Sequence, residues 1–153
     1  MGDALAVGKD IPFPQRLEGR FDGVIRLADV ATLGGEMARR DGWYVVEPQH
    51  LLPESPVDGA TAKENLDALV AEILQVERGV WTTMVYVQSF EDPWIVKVFH
   101  PRRAGCGCGV GGGIVPWRVF TRFKPSAVPA WETTACAVAT PDSGPKAWLK
   151  KFL

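Results

Sequence analysis

Residues 61–78 are the stretch whose pattern leaves the fewest structural choices. Ala62, Leu66, Leu69, Val70, Ile73 and Leu74 recur at spacings of three and four, while Glu64, Asp67, Glu72 and Glu77 fall between them. At 3.6 residues per turn this predicts a helix with one apolar stripe and an acidic face turned to water. Thr61-Ala62-Lys63-Glu64 reads as a capping box at its start, hydroxyl and carboxylate each satisfying the other's backbone N–H. Gly79 ends it. A one-sided helix must lie against another layer, so the rest of the chain has to supply a surface for it.

The residues beyond Gly79 predict that surface. Val80–Ser89, Trp94–His100 and Trp117–Lys124 are rich in β-branched and aromatic residues, with Glu91-Asp92-Pro93 as a turn and Pro101 as a stop. Three such runs in succession predict an antiparallel meander. In the last run Trp117, Val119, Thr121 and Phe123 alternate with Arg118, Phe120, Arg122 and Lys124, predicting one apolar and one mostly basic face.

Upstream, residues 23–27 are a short strand, and Asp29 is the expected N-cap of a helix reaching Arg40 with Val30, Leu33 and Met37 inward. Gly42 suits the position after that helix, and Trp43–Val46 is a strand ended by Pro48. Residues 50–59 are a loop. The order predicts an α+β fold of two layers: a mostly antiparallel sheet, its C-terminal part a three-stranded meander, with two helices packed on one face.

With 153 residues, one domain spanning 1–153 is expected. Residues 1–22 are an extended arm anchored by Ile11, Phe13 and Leu17. Residues 125–153 are an irregular tail packed on the domain, its last segment expected as a helical turn that docks Trp148 and Phe152, with a partner-binding tail as the alternative.

The start MGDALAVGKDIPFPQR lacks a signal-peptide pattern, and Ala6 stands where a myristoylation motif wants Ser or Thr. No apolar run approaches the ~20 residues of a membrane span. A cytoplasmic location is expected, with the three cysteines as free thiols, ligands or redox groups.

A formal net charge of −1 gives no general drive towards nucleic acid or an anionic membrane. The distribution is uneven, however. Residues 54–92 carry Glu54, Asp58, Glu64, Asp67, Glu72, Glu77, Glu91 and Asp92 against Lys63 and Arg78. Residues 93–124 carry Lys97, Arg102, Arg103, Arg118, Arg122 and Lys124 and no acid. Either neighbouring elements attract each other, or the second segment is a basic patch that binds a partner.

Inside that basic segment lies Ala104-Gly105-Cys106-Gly107-Cys108-Gly109-Val110-Gly111-Gly112-Gly113, a connection far longer than two strands need. Its glycines allow two cysteines that would diverge in a strand to converge on one ion. Thiolates suit zinc, Cu(I) or an iron–sulfur cluster, and His100, six residues before Cys106, is the candidate third ligand. A fourth would come from His50, Cys136, a carboxylate or a second subunit.

Two other chemistries compete. Cys106 and Cys108 are candidates for a strained, reducible disulfide, with Arg102 and Arg103 lowering the thiolate pKa. Successive glycine N–H groups with Arg102, Arg103 and Arg118 are candidates for holding an anion. The stretch is neither a Walker A loop, nor a dinucleotide fingerprint, nor a Cys-x5-Arg phosphatase loop, and no Cys-x-x-Cys opens a helix. The remaining account is a surface loop whose cysteines are incidental.

Phe99-His100-Pro101 followed by Cys106-Gly107-Cys108-Gly109 resembles the C-terminal CGCG tail of A-type iron–sulfur carrier proteins. The resemblance implies that Cys106 and Cys108 hold iron or a cluster. In that family a third, upstream cysteine takes part. Here no cysteine precedes Cys106, Cys136 lies downstream, and Val110-Gly111-Gly112 replace the family's residues after the motif.

No nucleophile elbow or Ser–His–Asp arrangement is visible, and Glu91-Asp92 reads as a turn. The expectation is a non-enzymatic accessory protein binding a soft metal or iron–sulfur cluster through Cys106, Cys108 and His100. Its expected partner is another protein or a second copy of itself, with neither membrane nor nucleic acid expected. A thiol-redox enzyme and a binding module using the basic strand face are the alternatives.

Overall fold

A computed structural model describes residues 11–102 and 115–132. In chain order these form α1 (Phe13–Arg16), β1 (Asp22–Gly23), α2 (Leu27–Ala38), β2 (Tyr44–Val46), α3 (Gly59–Val76), β3 (Val85–Val87), β4 (Ile95–Val98), β5 (Arg118–Thr121) and α4 (Pro129–Glu132). The strands make one antiparallel sheet in the spatial order β1-β3-β4-β5-β2. The expected meander β3-β4-β5 is its centre, and the two early strands are added at opposite edges. The fold is α+β.

Strand register sorts the side chains. Val85 lies opposite Val98, Val87 opposite Val96, and Val96 opposite Phe120, which also faces Val45. Since side chains alternate between faces, these share one side of the sheet. They pack with Val30, Leu33 and Met37 of α2 and with Leu66, Leu69, Val70 and Ile73 of α3 in one core. Both helical stripes are thus spent on that face, with Leu74 partly buried at its margin.

The opposite face is covered too, by less regular chain. Val46, Ile95 and Val119 pack with Phe13 and Leu17 from the N-terminal arm and with Val128 and Trp131 from beyond β5. Phe13 meets Trp131 edge-on at 6.4 Å between ring centroids. The arm is not extended throughout: Pro14, early in α1, has a fixed φ that suits a first helical turn.

Both helix starts differ from expectation. The N-cap of α3 is Asp58, whose carboxylate accepts the Thr61 N–H at 2.8 Å, so the helix opens at Gly59 rather than Thr61. Hydrogen bonds from the backbone and side chain of Thr61 hold the Asp58 carboxyl below its ordinary value. In α2 the cap position is Arg26. Asp29 lies within the first turn and pairs with Arg26, Nε to Oδ2 3.1 Å.

The early start of α3 serves its contact with α2. The Gly59 N–H donates to Asp41 Oδ1 at 2.9 Å. A Cβ at position 59 would lie 2.5 Å from the Ala38 carbonyl oxygen and 2.6 Å from that of Met37, with the Arg40 carbonyl closer still. Only glycine lets backbone approach backbone so closely. Trp43, wholly buried, caps the same helix end by donating its indole N–H to the Met37 and Arg40 carbonyls, each at 3.0 Å. Gly42, at φ +88°, makes the turn that brings it there.

This packing leads to two expected outcomes. Gly59→Ala should lower stability by about 3 kcal/mol, because backbone rather than a flexible side chain must move, and chemical denaturation will measure it. The second concerns Lys97, on the face opposite α2 and α3. Its ammonium donates to the Leu17 carbonyl at 2.7 Å and lies 3.9 Å above the Phe21 ring. Burial pushes its pKa below the ordinary 10.5, with Glu18 opposing the shift. The unfolded chain then holds the proton more tightly, so this residue's contribution to stability rises as pH approaches 10.5. Thermal melts across alkaline pH should show that rise in the native protein and its loss in Lys97→Met.

Candidate functional site

The ends of the cysteine-bearing connection are fixed by the sheet. Val98 and Arg118 are cross-strand partners, the Trp117 N–H donates to the Val98 carbonyl at 2.8 Å, and the Phe99 N–H donates to that of Met84 at 2.8 Å. Chain leaving β4 at Phe99 therefore returns to β5 beside its point of departure. Cys106, Cys108 and Arg103, with the rest of 103–114, lie outside the described residues, as does Cys136.

His100 stands where this connection begins. It is 8% exposed, with its ring edge-on to Trp117 at 4.6 Å between centroids. The Arg102 backbone N–H donates to His100 Nδ1 at 3.1 Å. A nitrogen that accepts carries a lone pair, so in the neutral ring the proton sits on Nε2. Glu72, from the exposed side of α3, brings its Oε2 to 3.6 Å from that Nε2. Sequence reasoning missed Glu72, which reads as one more carboxylate on a solvated helix face. Its spacing within α3 carries no sign of a partner on β4.

At the same end of the sheet, Arg118 bonds the Trp117 carbonyl through Nη1 at 2.9 Å and faces Glu47 Oε2 at 3.6 Å through Nη2. Glu47 also faces His50, whose Nδ1 lies 3.1 Å from the Pro48 carbonyl. Arg102 is exposed. Among the described residues no three His, Cys, Asp or Glu side chains gather as a metal site, so the sulfurs would have to complete one. His100 Nδ1 is engaged by the Arg102 N–H, so a metal there would have to displace that bond.

The basic face expected along β5 takes a different form. Phe120 is wholly buried against the helices, and both sheet faces are covered. Arg122, with a side chain only 20% exposed, lies 4.0 Å over the Trp94 ring and reaches Asp92 Oδ1 at 3.7 Å. Burial lowers its pKa, Asp92 opposing. Asp92 also accepts from Arg40 Nε at 3.2 Å and from the Trp94 indole at 3.1 Å. Arg122 is thus part of the clasp on the β3–β4 turn, at the end of the sheet away from His100. Lys124 is exposed.

The chain matches no family model, no curated protein and no solved structure. The likeness of residues 99–109 to the carrier-protein tail therefore rests on those residues alone. No helix among the described residues is long and apolar enough to cross a membrane.

Arg122→Gln separates a structural from a binding role for this arginine. It should cost about 1 kcal/mol of stability by removing the stacked, paired guanidinium. Retention on an immobilised polyanion should stay as in the native protein, and a salt-elution series will show whether it does.

Proposed function

We propose that the protein is a small, single-domain, non-enzymatic accessory protein of the cytoplasm. In this reading Cys106 and Cys108 bind a soft transition metal or an iron–sulfur cluster, with His100 as a third ligand. The observation that carries the reading is His100: buried, held by Trp117, and offering a lone-pair nitrogen at the start of the connection that bears both cysteines. Two thiolates and an imidazole are a soft donor set, suited to zinc, Cu(I) or iron–sulfur chemistry rather than to calcium or magnesium. The group would supply structural closure or be carried to another protein or a second copy of this chain. The protein's own residues orient the imidazole and pin both ends of the connection.

Support for the rival basic-face reading weakens once Arg118 and Arg122 are seen facing Glu47 and Asp92. For the anion-binding reading, Arg102 remains an exposed cation beside the connection.

Purification without oxygen followed by elemental analysis tests the proposal. The expected result is about one metal ion or one cluster per chain, lost from Cys106→Ala/Cys108→Ala and reduced in His100→Ala. Metal-free protein that also takes up neither zinc nor ferrous iron with sulfide would sink it. A reversible Cys106–Cys108 disulfide in such protein would turn attention to thiol-redox chemistry.

A further inference from the structure

Strand β1 stands at one margin of the sheet, with β3 on its inner side and no strand on its outer side among the described residues. Asp22 lies opposite Val87 and Gly23 opposite Tyr86, and the Val24 N–H donates to the Val85 carbonyl at 2.8 Å. Backbone groups alternate in direction along an antiparallel strand. Asp22 and Val24 therefore bond inwards to β3, while the N–H and C=O of Gly23 and Ile25 point outwards. Among the described residues no hydrogen bond reaches those outward groups. Arg26 is still extended, at φ −113° and ψ 144°, before α2 turns the chain away. Residues 22–26 thus form a short strip with a free rim, and Ile25 on it is 75% exposed. At the opposite margin, by contrast, Val57 pairs with Trp43 just before β2.

We propose that this edge pairs antiparallel with the same edge of a second copy of the chain, about a twofold axis at Val24, joining the two sheets into one. Unpaired edges are templates for such pairing, and no proline or lysine blunts residues 22–26. With the axis at Val24, Gly23 lies opposite the partner's Ile25, and the two exchange N–H to C=O bonds on either side of the axis. Charge selects this register. It sets Asp22 opposite the partner's Arg26 at both ends, as non-hydrogen-bonded pairs whose side chains come closest. Centring the axis on Gly23 instead would set Arg20 against the partner's Arg26, like against like. Within its own chain Asp22 is 61% exposed and meets Arg20 at 3.9 Å, while Arg26 is 77% exposed and meets Asp29 at 3.1 Å. Solvated pairs of that kind contribute little, so both charges are available to a partner. The glycine also fits. A Cβ at position 23 would lie 2.9 Å from Thr83 Cγ2 and 3.0 Å from Tyr86 Cε2, so an isoleucine opposite it meets those side chains without a competitor. A strip this short buries less than a standard interface, which makes the dimer a weak one formed at high concentration.

Sedimentation equilibrium of the full chain from about 10 to 500 µM tests this, with a reductant present to exclude disulfide-linked dimers. The average mass should rise from one chain towards two. Asp22→Arg and Arg26→Asp each place like charges opposite one another at both ends of the strip, and each should dimerise at least about tenfold more weakly. Both sites are exposed, so both variants should keep the native circular dichroism. Mixed in equal amounts, the two variants complement each other. One chain then carries two basic residues at these positions and the other two acidic ones, so a mixed dimer should form with about the native affinity.

A native chain that stays a monomer across that range overturns the proposal. So does a dimer that neither substitution weakens, since it lies on another surface. Weakening in both variants with no recovery in the mixture overturns it as well, because the lost contacts to Arg20 and Asp29 within each chain would then account for the effect. The strip involves neither His100 nor the cysteines, so each of these outcomes is independent of the metal-binding reading.

Discussion

The contact between the first residue of α3 and the last carbonyls of α2 is the constraint on which the helix layer depends. Helix C-termini leave carbonyls without intrahelical partners, and burying them needs donors from elsewhere. For α2 those donors come through the Trp43 indole, which serves Met37 and Arg40 together. Gly59 presses against the same carbonyls, and Asp41, just beyond α2, accepts the Gly59 N–H. Strand β2 begins one residue after Trp43, so this junction also sets where the sheet starts relative to the helices. Arg40 extends the tie outward, bonding Glu36, the Glu91 carbonyl and Asp92 on the β3–β4 turn. One corner of the molecule therefore registers two helices and a sheet edge, and fixes the far turn of the meander against them.

With α2 and α3 on one face and the arm and tail segments on the other, the sheet has little surface left for a basic patch. Cations near it are turned to internal use. Lys97 caps the Leu17 carbonyl, Arg16 lies 3.6 Å over Phe123, and Arg122 lies over Trp94. The acidic and basic blocks seen in the sequence meet in space where Asp92 faces Arg122, and Glu72 approaches His100. These exposed carboxylates add little stability individually. They matter for placement, since each fixes the direction of a buried or half-buried partner.

Periodicity made the helices legible because their stripes face one contiguous core: Val30, Leu33 and Met37 in α2, Ala62, Leu66 and Ile73 in α3 are all buried. The meander was legible because its strands are neighbours in sequence. Its flanking strands were not placed, since β1 is two residues long and β2 pairs with a strand more than 70 residues later. The α3 start was misplaced because two capping patterns overlap. Asp58 and Thr61 stand at the same spacing as Thr61 and Glu64, and only packing against α2 decides that Gly59 must be helical. At the candidate site, sequence picked out His100 through its nearness to the cysteines. Its burial and its approach to Glu72 are tertiary facts that no local pattern encodes.

Topology asks nothing of the connection between β4 and β5 in length. Val98 and Arg118 are already partners, so a few residues would join them. Lengthening a closed connection costs little, about 0.6 kcal/mol per doubling, provided its ends are held. They are held here by bonds from Phe99 to Met84 and from Trp117 to Val98, and by the packing of His100 on Trp117. The sheet supplies rigid ends, with one buried imidazole where the connection begins. His100, packed on Trp117 and 3.6 Å from Glu72, stands at the root of that segment.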